Sequence, residues 1–138
     1  MDFNALLHIK SMASKIVIMN ALYDQFFSFL GELKQMYPED TDFAIYETSV
    51  RMLKSTNPSL LGKYIVEYTQ DFKAQIESQD EKFFLDYSFN EYGEHVDLNI
   101  FSKLKKYYAD MSTDSKANTW KYIQNIYKLA KASAGLSS

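Results

Sequence analysis

The chain has 138 residues, 46% of them hydrophobic and 16% aromatic, and a formal net charge of -3. That length and apolar content suffice for one compact domain and oppose a disordered chain, because the aromatic side chains bury enough area to offset ordering entropy. With no cysteine, a disulfide scaffold, thiolate catalysis and cysteine-ligated zinc or iron–sulfur centres are excluded.

The N-terminal run MDFNALLHIKSMASKIVIMNAL begins with an acid and lacks the basic-then-apolar order of a secretion signal. Lys10, Lys15 and Asp24 interrupt its apolar content, so the expectation is an intracellular protein without a membrane segment. Within Ile9 to Leu33, the residues Ile9, Met12, Ile16, Met19, Tyr23, Phe26, Leu30 and Leu33 recur at steps of three and four. They predict a long amphipathic helix that Pro38 stops just after Tyr37. Val17, Leu22, Phe27 and Phe29 lie off that seam and widen the apolar face. A face that broad suits a bundle core better than a two-stranded coiled coil, although the seam lasts more than three heptads.

After YPEDTD, the residues Phe43, Tyr46, Val50 and Leu53 predict a second helix with Thr41 or Asp42 as its cap. STNPSL reads as a break, with Asn57 capping and Pro58 at the first helical position of a third helix. That helix carries Leu61, Ile65, Tyr68, Phe72 and Ile76. Ser78 followed by Glu81 resembles a capping box for a short helix bearing Phe83, Phe84 and Tyr87. Gly93 ends or interrupts it, and Val96, Ile100, Leu104 and Tyr107 mark a fifth. Ser112 caps a last helix with Trp120, Ile123, Tyr127 and Ala130 on one side and Ile126 beside them. The expected fold is therefore all-α: a compact irregular bundle of about six helices, one domain over residues 1–132, with a frayed tail at 133–138.

Charge is segregated. Residues 71–100 hold eight acids and two lysines, whereas residues 101–138 hold seven lysines and two aspartates. Such patches steer a partner or pair within the domain. Glu94, His95 and Asp97 make an incomplete metal set, and His8 stands apart from them. The carboxylates Asp80, Glu81, Asp86, Glu91, Glu94 and Asp97 define no catalytic geometry by clustering alone. Gly31, Gly62 and Gly93 belong to no phosphate-binding loop; the first two suit close helix packing. No cofactor, metal or small-molecule substrate is inferred.

Two segments, DFAIYETSVRMLKSTNPSLLGKYIVEY (residues 42–68) and FSKLKKYYADMSTDSKANTWKYIQNIYKLA (residues 101–130), are similar to segments of small uncharacterised helical proteins encoded by large nucleocytoplasmic DNA viruses, especially algal viruses. The most recognisable run is MSTDSKANTWKYIQNIYKLA, with Met111, Ser112, Ser115, Lys116, Trp120 and Tyr122. The resemblance covers about two fifths of the chain. It implies a compact virus-encoded helical protein, a virion component or an adaptor made in the infected cell, and transfers no catalytic residue to these positions.

Function is expected to be noncatalytic protein binding or self-association. Val17, Leu22, Phe27, Phe29 and Trp120 are candidate apolar contacts, and Lys103, Lys105, Lys106, Lys121 and Lys128 are candidate steering charges. The alternative is nucleic-acid binding by Lys103, Lys105, Lys106, Lys116, Lys121, Lys128 and Lys131, with Tyr108 and Tyr122 stacking on bases. The spacing argues against that use of the aromatics, because Leu104, Tyr107, Trp120, Ile123 and Tyr127 fit inward helix faces.

Overall fold

The structure, a computed structural model, describes residues 2–86 and 100–135. The expected features at Tyr87, Glu91, Gly93, Glu94, His95, Val96 and Asp97 lie outside the described residues.

The fold is an all-α bundle whose longest helix is α1, Phe3–Met36. Asp2 caps its start by accepting from the Ala5 amide at 2.7 Å, and the helix ends at Met36, just ahead of Tyr37 and Pro38. Helix α2 spans Asp42–Thr56 and buries Phe43, Tyr46, Val50 and Leu53, the four residues of its stripe. Thr41 makes no side-chain cap; instead Asp40 Oδ1 accepts from the Asp42 amide at 3.0 Å. Helix α3, Leu60–Thr69, starts two residues later than Pro58 suggests, because the Leu60 amide is held in a turn by the Asn57 carbonyl at 3.1 Å. The Pro58 carbonyl accepts from the Tyr23 hydroxyl at 2.9 Å and ties this corner to α1.

The third predicted helix is broken. A single 3-10 turn, Gln70–Phe72, separates α3 from α4, Lys73–Glu77. Gln79 then takes the left-handed φ of 54° while the Asp80 amide donates back to the Gln75 carbonyl at 2.9 Å, a helix stop that glycine usually provides. Asp80, rather than Ser78, opens α5, Glu81–Asp86, through its side chain on the Phe83 amide at 3.0 Å. Helix α6 is Ile100–Tyr108, and α7 is Thr113–Gly135 with Ser112 capping the Ser115 amide at 3.1 Å. With α3 and α4 taken as one interrupted rod, the described residues make six helical segments.

Cross-links fix the topology. Lys34 meets Glu47, Arg51 covers the Phe27 ring and Lys54 reaches the Tyr23 ring, so α2 runs antiparallel to α1. Asn118 donates to Glu32 and Asn125 to Gln25, so α7 is also antiparallel to α1. Gly62 faces Ser133 while Gln124 donates to the Ile76 carbonyl, so the α3–α4 rod runs against α7. The four long rods thus form an up-down-up-down bundle. Helices α5 and α6 pack beside it: Phe84 stands edge-on to Tyr108 and Trp120, and Trp120 Nε1 donates to the Tyr108 hydroxyl at 2.7 Å.

Two expectations change at the C-terminus and in α6. Ser133 is 1% exposed and helical, so residues 133–135 belong to the body and are not a frayed tail. Ile100, Leu104 and Tyr108 are buried on α6, and Tyr107, expected on the inward stripe, is half-buried and packs at the core's edge, stacked on Tyr37 at 3.9 Å.

The glycines differ in what surrounds them. A Cβ on Gly62 would sit 3.2 Å from Ser133 Oγ and 3.4 Å from the Ala130 carbonyl, so here alone among the two candidates does small size permit close helix approach. A Cβ on Gly31 meets nothing within 4 Å. Gly62→Val is expected to destabilise the fold by about 1–3 kcal/mol through overpacking, and Gly31→Ala to stabilise it by about 0.5–1 kcal/mol through helix propensity. Opposite shifts of the urea midpoint check both.

Candidate association surface

The long helix has two environments. From Leu22 onward it buries Leu22, Tyr23, Phe26, Phe29, Leu30 and Leu33; no described residue before Leu22 is buried. Residues 3–14 are exposed throughout, a length of about 18 Å at 1.5 Å per residue, and Lys15, Ile18, Met19 and Ala21 are half-buried where the helix enters the body. This overhang is not polar. Phe3, Leu6, Leu7, Ile9, Met12, Ile16 and Val17 are each between 43% and 72% exposed. Monomeric soluble proteins rarely leave so many large apolar side chains contiguous in water. By length and composition α1 also contains an 18-residue window able to cross a membrane, and 6% of that window is buried. Lys10, Lys15 and His8 sit on the same stretch.

The expected inward stripe is thus inward only in its second half. Ile9, Met12 and Ile16 are exposed, while Tyr23, Phe26, Leu30 and Leu33 are core. The predicted contact patch divides in the same way: Val17 is exposed and Phe27 half-buried beneath Arg51, but Leu22 and Phe29 are core residues. Trp120, at 5% exposure, and Tyr108, at 2%, are also core and offer no ring to a partner or base. Tyr122 is half-buried and stacks on Phe29 at 5.0 Å.

The lysines do not converge on one surface. Lys103 lies between Asp40 at 3.1 Å and Asp42 at 2.7 Å, and Lys116 pairs with Glu81 at 3.0 Å. Lys105 is half-covered, and Lys106 lies 5.9 Å from the Tyr107 ring centre. Lys121, Lys128 and Lys131 are exposed along α7, the last beside the Tyr127 ring. Lys128 borders an open groove with Asp24, Gln25 and Asn125.

Two interior features could carry chemistry and do not assemble it. A cavity of about 40 Å³ lies among Phe26, Phe29, Phe72, Phe84, Leu104 and Trp120; no carboxylate is among its described lining residues. Its one unpartnered polar atom outside the aromatic residues is Gln75 Oε1. Among the described residues no group of three or more His, Asp or Glu side chains is placed to hold a metal. The remaining cluster is structural: Asp40 accepts from the Tyr107 hydroxyl at 2.6 Å and pairs with Lys103, which pins α6 to the α1–α2 connection. The Tyr107 hydrogen bond, then the Asp42 amide and Lys103, hold the Asp40 carboxyl down at about 2. Lys103 is correspondingly raised, chiefly by its hydrogen bond to Asp42.

The overhang escaped the sequence reading because periodicity reports an apolar face without reporting what covers it. One usable signal was length. Helix α1 has 34 residues and α7, the next longest, has 23, so part of α1 must outrun its neighbours.

No protein-family model matches the chain, and neither a curated protein nor a solved structure does.

The Asp40 cluster gives a pH-dependent test. Its folded pKa lies below the ordinary value of 3.8, so its stabilisation is present above about pH 4 and disappears as pH falls through about 2. Asp40→Asn is expected to lower the urea midpoint at pH 7, with the gap to wild type narrowing below pH 4 and closing near pH 2.

Proposed function

We propose that the chain is a noncatalytic association protein whose contact surface is the overhanging half of α1. One observation carries the reading: seven large apolar side chains within Phe3 to Val17 stand about half or more exposed on a continuous helix anchored in a well-packed body. Burying them against a partner removes the free-energy cost of holding them in water, and that gain needs no catalytic group. The lysines act at longer range, setting orientation and encounter rate rather than affinity. With this reading goes the setting implied by the viral resemblance of residues 42–68 and 101–130: an intracellular protein that acts as a virion component or an adaptor in the infected cell.

The nucleic-acid alternative has less support. Its stacking residue Tyr108 is core, Tyr122 is engaged by Phe29, and Lys103 and Lys116 are held in ion pairs. Of the candidate lysines, Lys106, Lys121, Lys128 and Lys131 remain as an exposed basic set.

Wild-type protein is expected to elute above its monomer mass as concentration rises, or to capture a specific protein, by size exclusion with light scattering. Ile9→Glu/Ile16→Glu should abolish this while changing Tm by no more than about 2 °C, since exposed substitutions cost little stability. A monomer at every concentration that captures nothing specific would sink the proposal.

A further inference from the structure

The two halves of α1 turn opposite sides to the bundle. Eighteen residues make five full helical turns, so residues eighteen apart lie in line along the rod. Asn4, His8, Ser11 and Lys15 are thereby in line with Leu22, Phe26, Phe29 and Leu33, four of the six core residues of the gripped half. Conversely, Leu6 and Val17 are in line with Asp24 and Gln35, which are exposed on the far side of that half. The apolar side of the overhang is therefore not uncovered core. The helix reverses its polarity where it enters the body, and its oily side points away from the bundle.

That side is also broad. At 100° per residue, the seven exposed apolar side chains from Phe3 to Val17 spread from Met12 round to Leu7 over roughly 220° of the circumference. What remains is a narrow polar line of Asn4, His8, Ser11 and Lys15. A helix packed on one neighbour turns a stripe of about 100° to it, so a single helical partner does not span this arc, whereas a flat apolar medium does. Charge points the same way. From Phe3 to Tyr23 there is no acid, while Lys10 and Lys15 are cationic in a chain of formal net charge -3. Where the oily side meets the body it is flanked by Arg51, over the Phe27 ring, and by Lys128 of the groove beside α7, with Asp24 between them.

We infer that this side of α1 lies in the interface of an anionic lipid bilayer, parallel to its plane, with the bundle held on the water side. The inference rests on the association reading and names the partner. Lying flat puts Leu6, Ile9, Ala13 and Val17 deepest, at the boundary of headgroups and acyl chains, and turns the polar line to the water together with the body. Lys10 extends its charged end from the arc to the lipid phosphates. The same helix holds an 18-residue window apolar enough to cross a membrane, but crossing tip-first would bury Asp2, Lys10 and the polar line in hydrocarbon. In lipid-free buffer the overhangs cover one another, so association that rises with concentration is expected there and is reversed by vesicles.

The absence of cysteine lets single introduced thiols report the orientation. Full-length Leu6→Cys and Ser11→Cys variants, each labelled with an environment-sensitive fluorophore, are mixed with phosphatidylcholine–phosphatidylserine vesicles or with phosphatidylcholine alone. Wild-type protein is expected to float with the anionic vesicles and more weakly with the neutral ones. Lys10→Gln/Lys15→Gln should lower the partition coefficient by roughly tenfold, and Ile9→Glu/Val17→Glu should abolish flotation at unchanged Tm. The label at position 6 should shift to the blue and resist aqueous iodide, while that at position 11 does neither. Equal shielding of both labels overturns the inference and leaves the association reading intact. So does failure to float by a chain that still self-associates, or captures an identified protein, through Ile9 and Val17. A chain that stays monomeric in lipid-free buffer and ignores both kinds of vesicle overturns both.

Discussion

Everything in this molecule depends on one helix being gripped along only part of its length. From Leu22 to Leu33, α1 supplies six buried residues and packs against α2 on one side and α7 on the other. Those contacts fix the axis of the helix. The preceding residues are helical because the cap at Asp2 and the good propensity of Ala, Leu, Met and Lys favour it, and because the gripped half nucleates a helix that then only needs to propagate. None of them is buried in the core: Ile18, Met19 and Ala21 are half-covered, and the apolar side chains from Phe3 to Val17 stand in water.

The polar contacts do a different job from the core. Isolated surface ion pairs such as Lys34 with Glu47 contribute little. The Asp40, Asp42, Lys103 and Tyr107 group is more consequential because it joins α6 to the α1–α2 connection and lies beside the Tyr37–Tyr107 stack. It places Leu104 and Tyr108 over the core, where Tyr108 accepts the Trp120 N–H. Lys103, which looked like a steering charge, is thus spent on holding the fold, and the segregated charge of the C-terminal region is partly a device for docking helices.

Much of this was legible in the residues. The stripes of α2 and α7 became buried faces residue by residue, and Pro38 and Ser112 marked a helix stop and start. Local chemistry misled where two capping residues competed: Asp80 outranked Ser78, and Asn57 held a turn before α3 rather than its first helical bond. The break at Gln70–Phe72 had no proline or glycine to announce it; tertiary packing of Phe72 and Ile76 overrides a periodicity that runs straight through. Of the four α1 positions expected to form a contact patch, Val17 is exposed, Phe27 half-buried, and Leu22 and Phe29 are core. Leu22, Phe29 and Trp120 are indistinguishable from Ile9 and Ile16 by hydrophobicity, and only three-dimensional coverage separates them.

The unbroken backbone of α1 between Phe3 and Gly31 has a mechanical corollary. With no proline, glycine or 3-10 turn before Gly31, the rod has no swivel, so its tip inherits its heading from the body. Deleting or adding a single residue near Leu22 would swing the oily side by 100° and move the tip by about 1.5 Å, whereas exchanging one apolar side chain for another would alter neither. The count of residues between grip and tip is therefore held to a stricter tolerance than their identities, as in a ruler whose graduations matter more than its material.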